Sequence, residues 1–143
     1  VQALGYKKGN TIDMSSFIDY FGEGRVLYGC WWRHVMSWYQ ASLTNNNILF
    51  VTYEEMSQNI ETVISQIATF MNQSVDDKKI SSIAEKCSFK SMKNDKKSSM
   101  AYCKNFWRKG TCGDHVNFFT KEQIKNFDAK SESLLPTELM KRL

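Results

Sequence analysis

A chain of 143 residues with 42% hydrophobic and 13% aromatic side chains has the length of one domain and enough apolar material for a core, which excludes disorder throughout. No apolar run approaches the roughly 18 residues that cross a bilayer, and the opening "VQALGYKKGN" lacks the charged-then-apolar layout of a secretory leader, so a soluble protein is expected. The net charge of +4 is uneven: Lys78 to Lys109 carries ten Lys and Arg against two acids, and the remainder nine against thirteen. Such a run reads as a solvated lysine-rich face or as a site for an anion, and the neighbouring motifs must decide between them.

In chain order, "DMSSFIDYF" begins with a capping acid, Asp13, and spaces Phe17 and Phe21 four apart, which predicts a short amphipathic helix. A glycine-bounded turn at Gly22 to Gly24 precedes a helix from about Trp31, with Trp31, Val35, Trp38 and Tyr39 along one side. Then "NNNILFVTYEEM" offers polar turn residues followed by Ile48 to Tyr53, an apolar and β-branched run that reads as a strand buried on both faces. Asn59 to Met71 sets Ile60, Val63, Ile64, Ile67, Ala68 and Met71 at helical spacing. Asp76 or Asp77 can cap a further helix bearing Ile80, Ile83 and Ala84. Lys90 to Asn105 shows no period and is expected to be a basic loop. Thr120 with Gln123 spells a capping box before Ile124, Phe127 and Leu134, and Pro136 is expected to end that helix before a last short turn.

The strand raises a difficulty, because a single strand cannot satisfy its own backbone groups. Either the protein is mostly helical, or these residues are the carboxyl-terminal part of an α/β domain whose other strands lie upstream. Cys30, Cys87, Cys103 and Cys112 match neither a C-x-x-C metal site nor a disulfide-dense scaffold, so no metal and a reducing, cytoplasmic compartment are expected. Asn72-Gln73-Ser74 has the form of a glycosylation acceptor, a pattern short enough to arise by chance.

The segments "GRVLYGCWWRHVMSWY", "NILFVTYEEM", "ISQIATFM", "KCSFKSMK" and "FWRKGTCGDHVNFFTKEQIKNFD" resemble, in order, the carboxyl-terminal half of the cytosolic sulfotransferases, from about Phe17 to Asp128. The most specific element is Arg108-Lys109-Gly110 with Gly113-Asp114 and then Phe119-Thr120. The resemblance implies an α/β, P-loop-like sulfotransferase fold, a parallel sheet flanked by helices. Residues 1–143 would be the helix-rich carboxyl-terminal part of that single domain, with one clear strand. It also implies an enzyme that moves a sulfonate from 3′-phosphoadenosine 5′-phosphosulfate (PAPS) to a hydroxyl or amine of a small acceptor, leaving adenosine 3′,5′-bisphosphate (PAP).

In the family the Arg-Lys-Gly loop holds the 3′-phosphate. A guanidinium forks onto two phosphate oxygens, Lys adds a point charge, and Gly lets a backbone N–H come close. Arg108, Lys109 and Gly110 match that loop, and Tyr53, Cys87, Ser88, Phe89, Phe106 and Trp107 match the adenine pocket, where rings stack on the base at about 1 to 3 kcal/mol each. The family's phosphosulfate loop and its catalytic histidine have no counterpart here, so this chain is expected to supply only the adenine and 3′-phosphate side and to be inactive alone. His34 and His115 are read as structural and no catalytic residue is assigned.

Several positions depart from the family. Cys87 replaces a Thr that contacts the adenine, His115 replaces a Trp, and Lys93 to Asn105 is shorter than the usual acceptor-covering lid. Val116, Thr120-Lys121 and Lys125 occupy the dimer motif with only the Thr kept, so a homodimer is possible but its motif is altered. A phenol, alcohol or amine is the expected partner; a membrane and nucleic acid are not. The competing reading is a non-catalytic nucleotide- or polyanion-binding module of the same lineage.

Overall fold

Helix starts in this protein are written in its capping side chains. Asp13 accepts the Ser16 N–H at 2.9 Å, Asn59 that of Thr62 at 3.1 Å, Asp76 that of Lys79 at 2.8 Å and Ser88 that of Ser91 at 3.2 Å. Each satisfies one of the donors a first turn leaves without an intrahelical partner. The computed structural model describes residues 13–95 and 106–143. Among these the order is α1 (Met14–Gly22), α2 (Trp31–Thr44), α3 (Tyr53–Gln58), α4 (Ile60–Phe70), α5 (Asp77–Lys86), α6 (Phe89–Asn94), a 3-10 turn (Asp114–Asn117), α7 (Lys121–Leu134) and α8 (Thr137–Met140).

The strand expected at Ile48 to Tyr53 is not formed. Residues 48–52 run on without helix or sheet pairing, no residue among those described is in a strand, and Tyr53 opens α3 instead. The physical reason is twofold. An apolar run becomes a strand only when a neighbour takes its backbone groups. Beyond Val51 the local chemistry favours a helix: Thr52 and Glu55 form a reciprocal capping box, with Glu54 and Glu55 in the first turn. The helix-rich part of the expected architecture stands; its one strand does not. The basic loop also begins later than expected, because Ser88 caps α6 through Asn94. The rest of it, residues 96–105, lies outside the described residues.

Two helix ends share a Schellman geometry. After α1, Gly24 (φ +73°) follows the cap residue Glu23, with Arg25 N–H donating to the Tyr20 carbonyl at 2.8 Å and Gly24 N–H to that of Phe21 at 3.0 Å. A Cβ at Gly24 would stand 2.9 Å from that of Cys30, so both φ and space require glycine. After α4 the same two bonds run from Gln73 to Ala68 and from Asn72 to Thr69, with Asn72 (φ +53°) in the left-handed place.

The chain divides into two compact units. The first comprises residues 1–41 and 114–140 and holds α1, most of α2, the 3-10 turn, α7 and α8. Its centre is aromatic. Trp32, 2% exposed, lies 4.8 Å from the Phe127 ring, and Phe21 stacks on Phe127 at 6.1 Å with 21° between planes. The Trp32 indole N–H donates to Ser131 Oγ at 2.8 Å, and the Ser131 hydroxyl donates to the Phe127 carbonyl at 2.9 Å, so the buried polar groups are paired. Lys130 lays its ammonium 4.7 Å over Trp32 and donates to the Gly22 carbonyl at the end of α1. Trp38, expected on the core side of α2, is half-exposed; the buried positions are Trp32 and Tyr39, seven apart and two turns along one face.

The second unit comprises residues 42–113 and 141–143 and holds the last turn of α2 and α3 to α6. Here α4 packs on α5, with Val63 and Ala84 buried and Ser81 Oγ donating to Glu61 Oε1 at 2.7 Å. Val63 is the innermost member of the expected apolar face of α4, whereas Ile67 and Met71 are exposed.

Candidate functional site

All nine residues expected to line a nucleotide site fall in the second unit. Cys87, Ser88 and Phe89 form the junction of α5 and α6. Cys87 ends α5, its N–H donating to the Ile83 carbonyl at 2.9 Å, and its thiol is free and exposed. Ser88 spends its hydroxyl as the cap of α6, accepting the Ser91 N–H and donating to Ser91 Oγ at 3.0 Å. Phe89 is thereby fixed as the first residue of α6.

The second segment is Phe106 to Gly110. Phe106 and Trp107 stand edge to face at 5.1 Å and 88°, and Trp107 meets Phe89 edge to face at 5.9 Å and 79°. Arg108 and Lys109 are exposed, and Arg108 N–H donates to the Phe106 carbonyl at 3.1 Å. Gly110 has φ +66°, and a Cβ there would stand 2.1 Å from Phe89 Cδ2. Two segments some twenty positions apart in sequence thus close on one another through Phe89. Lys93 adds its ammonium 5.6 Å from the centre of the same ring.

Tyr53 is placed differently. It is the first residue of α3 and 50% exposed. What holds that turn is a network built around its capping box. Glu55 Oε2 accepts the Thr52 N–H at 2.9 Å, while the carboxylate takes Arg142 Nε at 2.7 Å and an Arg142 terminal nitrogen at 3.1 Å. The same guanidinium group donates to the Phe50 carbonyl at 2.7 Å and lies 5.3 Å from the Phe50 ring centre. Thr52, buried, donates its hydroxyl to the Arg142 carbonyl at 2.8 Å. The hydrogen bond from Arg142 holds the Glu55 carboxyl below the usual glutamate range, against the opposing effect of partial burial.

The two histidines stand in the first unit. His34 is an exposed residue of α2, and His115, in the 3-10 turn, meets Phe119 edge to face at 5.8 Å. At the expected dimer positions Val116 is exposed, Thr120 is occupied as the cap of α7 with Gln123, and Lys121 and Lys125 lie on α7. Among the described residues no cluster of His, Cys, Asp and Glu could hold a metal, and no helix is long and apolar enough to cross a membrane.

Known proteins similar to this chain carry the reading further. A family model described as the sulfotransferase domain matches residues 2–143. Among curated relatives, Sulfotransferase 1A1 of Mus musculus is 33% identical over 84% of this chain and 44% of its own length. Sulfotransferase 1E1 of Bos taurus is 30% identical over 87% of this chain and 45% of its own. A crystal structure of mouse sulfotransferase SULT7A1 complexed with PAP superimposes with a TM-score of 0.78 at 29% identity, over 90% of this chain and 50% of that one. Retinol dehydratase, solved with androsterone and the inactive cofactor PAP, shares the fold at a TM-score of 0.79 and 22% identity. The chain therefore spans about half the length, or less, of the proteins it resembles. With the domain match running from residue 2 to the last residue, this chain belongs to the sulfotransferase family.

Proposed function

We propose that this chain supplies the adenine and 3′-phosphate side of the donor site of a PAPS-dependent sulfotransferase. The observation that carries the reading is the closure of Cys87-Ser88-Phe89 on Phe106 to Gly110: Phe89 meets Trp107 at 5.9 Å and leaves no room for a side chain at Gly110. Three rings and two exposed cations, with a glycine in the left-handed region, suit a flat base beside a phosphate. The likeness to SULT7A1, solved with PAP, supports the same assignment. Arg108, Lys109 and Gly110 would hold the 3′-phosphate, and Tyr53, Cys87, Ser88, Phe89, Phe106 and Trp107 the adenine.

When bound, the donor supplies an activated sulfonate, and the acceptor is a small phenol, alcohol or amine in the cytoplasm. The residues that act on the sulfonate are assigned to parts of the fold beyond these 143 residues, which alone would bind without catalysing. The homodimer motif of the Val116 to Lys125 segment is altered, with only Thr120 kept.

The test is a calorimetric titration of the chain with adenosine 3′,5′-bisphosphate, with adenosine 5′-monophosphate as the control lacking the 3′-phosphate. Selective binding of the bisphosphate, weakened tenfold or more in Arg108→Ala, is expected, since a charge-assisted hydrogen bond contributes about 1.5 to 3 kcal/mol. Equal affinity for both nucleotides would remove the 3′-phosphate assignment. The ten bases between Lys78 and Lys109 keep polyanion binding as a second reading, which predicts oligonucleotide binding that falls steeply with salt.

A further inference from the structure

Arg142 stands second from the end of the chain, in none of the motifs described above, and yet its side chain ties together two segments of the second unit. Its guanidinium grips both Glu55 oxygens at 2.7 and 3.1 Å and the Phe50 carbonyl at 2.7 Å, and its own carbonyl accepts the Thr52 hydroxyl. A planar guanidinium that forks onto a carboxylate is rigid in a way a lone lysine ammonium is not. The residues it grips flank Tyr53 on both sides. Thr52 precedes it as the cap of α3, and Glu55 closes the capping box by accepting the Thr52 N–H.

Tyr53 itself is half-exposed, and its place depends on the turn that carries it. That turn belongs to a helix of only six residues, too short to be stable by itself. We infer that Arg142 is a positioning residue of the donor site: by clamping Phe50, Thr52 and Glu55 it sets the first turn of α3 and so the Tyr53 ring. The inference rests on the reading of Tyr53 as an adenine contact. In this role Arg142 acts through that ring, by way of its bonds to Glu55, Phe50 and Thr52.

The test uses the whole 143-residue chain, with Arg142→Ala, Arg142→Lys, Tyr53→Ala and the Arg142→Ala/Tyr53→Ala pair. The ligands are adenosine 3′,5′-bisphosphate and inorganic pyrophosphate, which has the charge and no base. Arg142→Ala should bind the bisphosphate roughly tenfold more weakly, in the lower range of what losing a base stack costs, and bind pyrophosphate as before. Arg142→Lys, which keeps the charge and one donor, should fall between. In the Tyr53→Ala background, Arg142→Ala should cost nothing further, because residues that act through one another are not additive.

Equal weakening for both ligands, or the same loss with and without Tyr53, would make Arg142 a general stabiliser and overturn the inference. Should Arg142→Ala not fold, an Arg142→Lys variant with unchanged bisphosphate affinity overturns it as well. If the unsubstituted chain binds the bisphosphate and Arg142→Ala binds it equally, only the positioning role falls; if the unsubstituted chain does not bind, the donor-site reading falls and takes this role with it.

Discussion

Replacing Gly110 by alanine tests whether the phosphate loop and the aromatic platform are one unit. Two costs arise at that position. The backbone lies at φ +66°, where an L-residue with a Cβ loses about 1 to 2 kcal/mol. The new methyl would also lie 2.1 Å from Phe89 Cδ2, 2.5 Å from Cγ and 2.7 Å from Cε2, against ordinary carbon contacts of about 3.5 to 4.0 Å. A shift of more than an ångström is needed, so either the ring leaves its edge contact with Trp107 or the loop carrying Arg108 and Lys109 withdraws. Overpacking of that size costs about 1 to 3 kcal/mol, and the lost ring pair about 0.5 to 1.5 kcal/mol more.

Gly113 is the matched control, because its φ is +75° and nothing stands within 4 Å of a Cβ there. Gly113→Ala should therefore show the backbone cost alone. Thermal unfolding at about 4 °C per kcal/mol and titration with the bisphosphate read the two variants side by side. Gly110→Ala should lower the melting temperature further than Gly113→Ala by about 5 °C or more and weaken the bisphosphate roughly thirtyfold or more, about 2 kcal/mol. Phe89→Ala in the same background should recover the steric part of the stability loss. Equal melting temperatures for the two glycine variants would refute the contact between Gly110 and Phe89 and with it the coupling of loop to ring.

The other predictions concern the frame that carries the site. Glu55 has its pKa lowered by Arg142, so its contribution is present above the ordinary carboxylate value of about 4.3 and is lost as the pH falls through the lower folded value. Glu55→Gln should cost about 1 kcal/mol at pH 7, modest because the side chains of the pair are 31% exposed. The gap to the unsubstituted chain in urea unfolding should close below about pH 4; a gap independent of pH would remove the ion pair from the account. Ser131→Ala leaves the Trp32 indole N–H buried without its 2.8 Å acceptor, and the urea midpoint should fall by the equivalent of about 1 to 3 kcal/mol; no change would mean that the N–H finds another partner. Thr120→Ala breaks the capping box of α7 and should cost about 1 kcal/mol, read as faster amide exchange at Gln123; unchanged exchange there would rule the cap out.

Most helix boundaries were legible because their signals are local. Asp13 and Thr120 cap where their type and spacing said they would, Asp76 is the one of the two candidates Asp76 and Asp77 that caps α5, and the i, i+3, i+4 pattern from Ile60 located α4 to within a residue. The misread stretch, Ile48 to Tyr53, is one where the deciding fact is remote. An apolar β-branched run states that a segment will be covered and not what its backbone will pair with. The nearer signal, Thr52 followed by Glu55, was in the sequence and outranks the run at that point, because a capping box satisfies two donors without any partner strand. Trp38 and Trp32 show the same limit on α2: the residue type says that some ring is buried, and only the arrival of Phe127 and Ser131 selects which.

The site divides along the same line. Phe89, Trp107 and Gly110 were nameable because each lies in a short motif, yet their mutual contact is a tertiary fact, and it gives Gly110 a second reason to be glycine beyond the one its motif supplied. For Tyr53 the change of element alters what keeps it in place. At the end of a strand it would be held by ladder bonds shared along its neighbours, and losing one would move it little. At the start of a six-residue helix it is held by its cap, and the cap is held by a guanidinium 87 positions away from Glu55. Long-range restraint on so short a helix concentrates in few bonds, so the ring should be more sensitive to Arg142 than any sheet-borne residue would be to one of its neighbours.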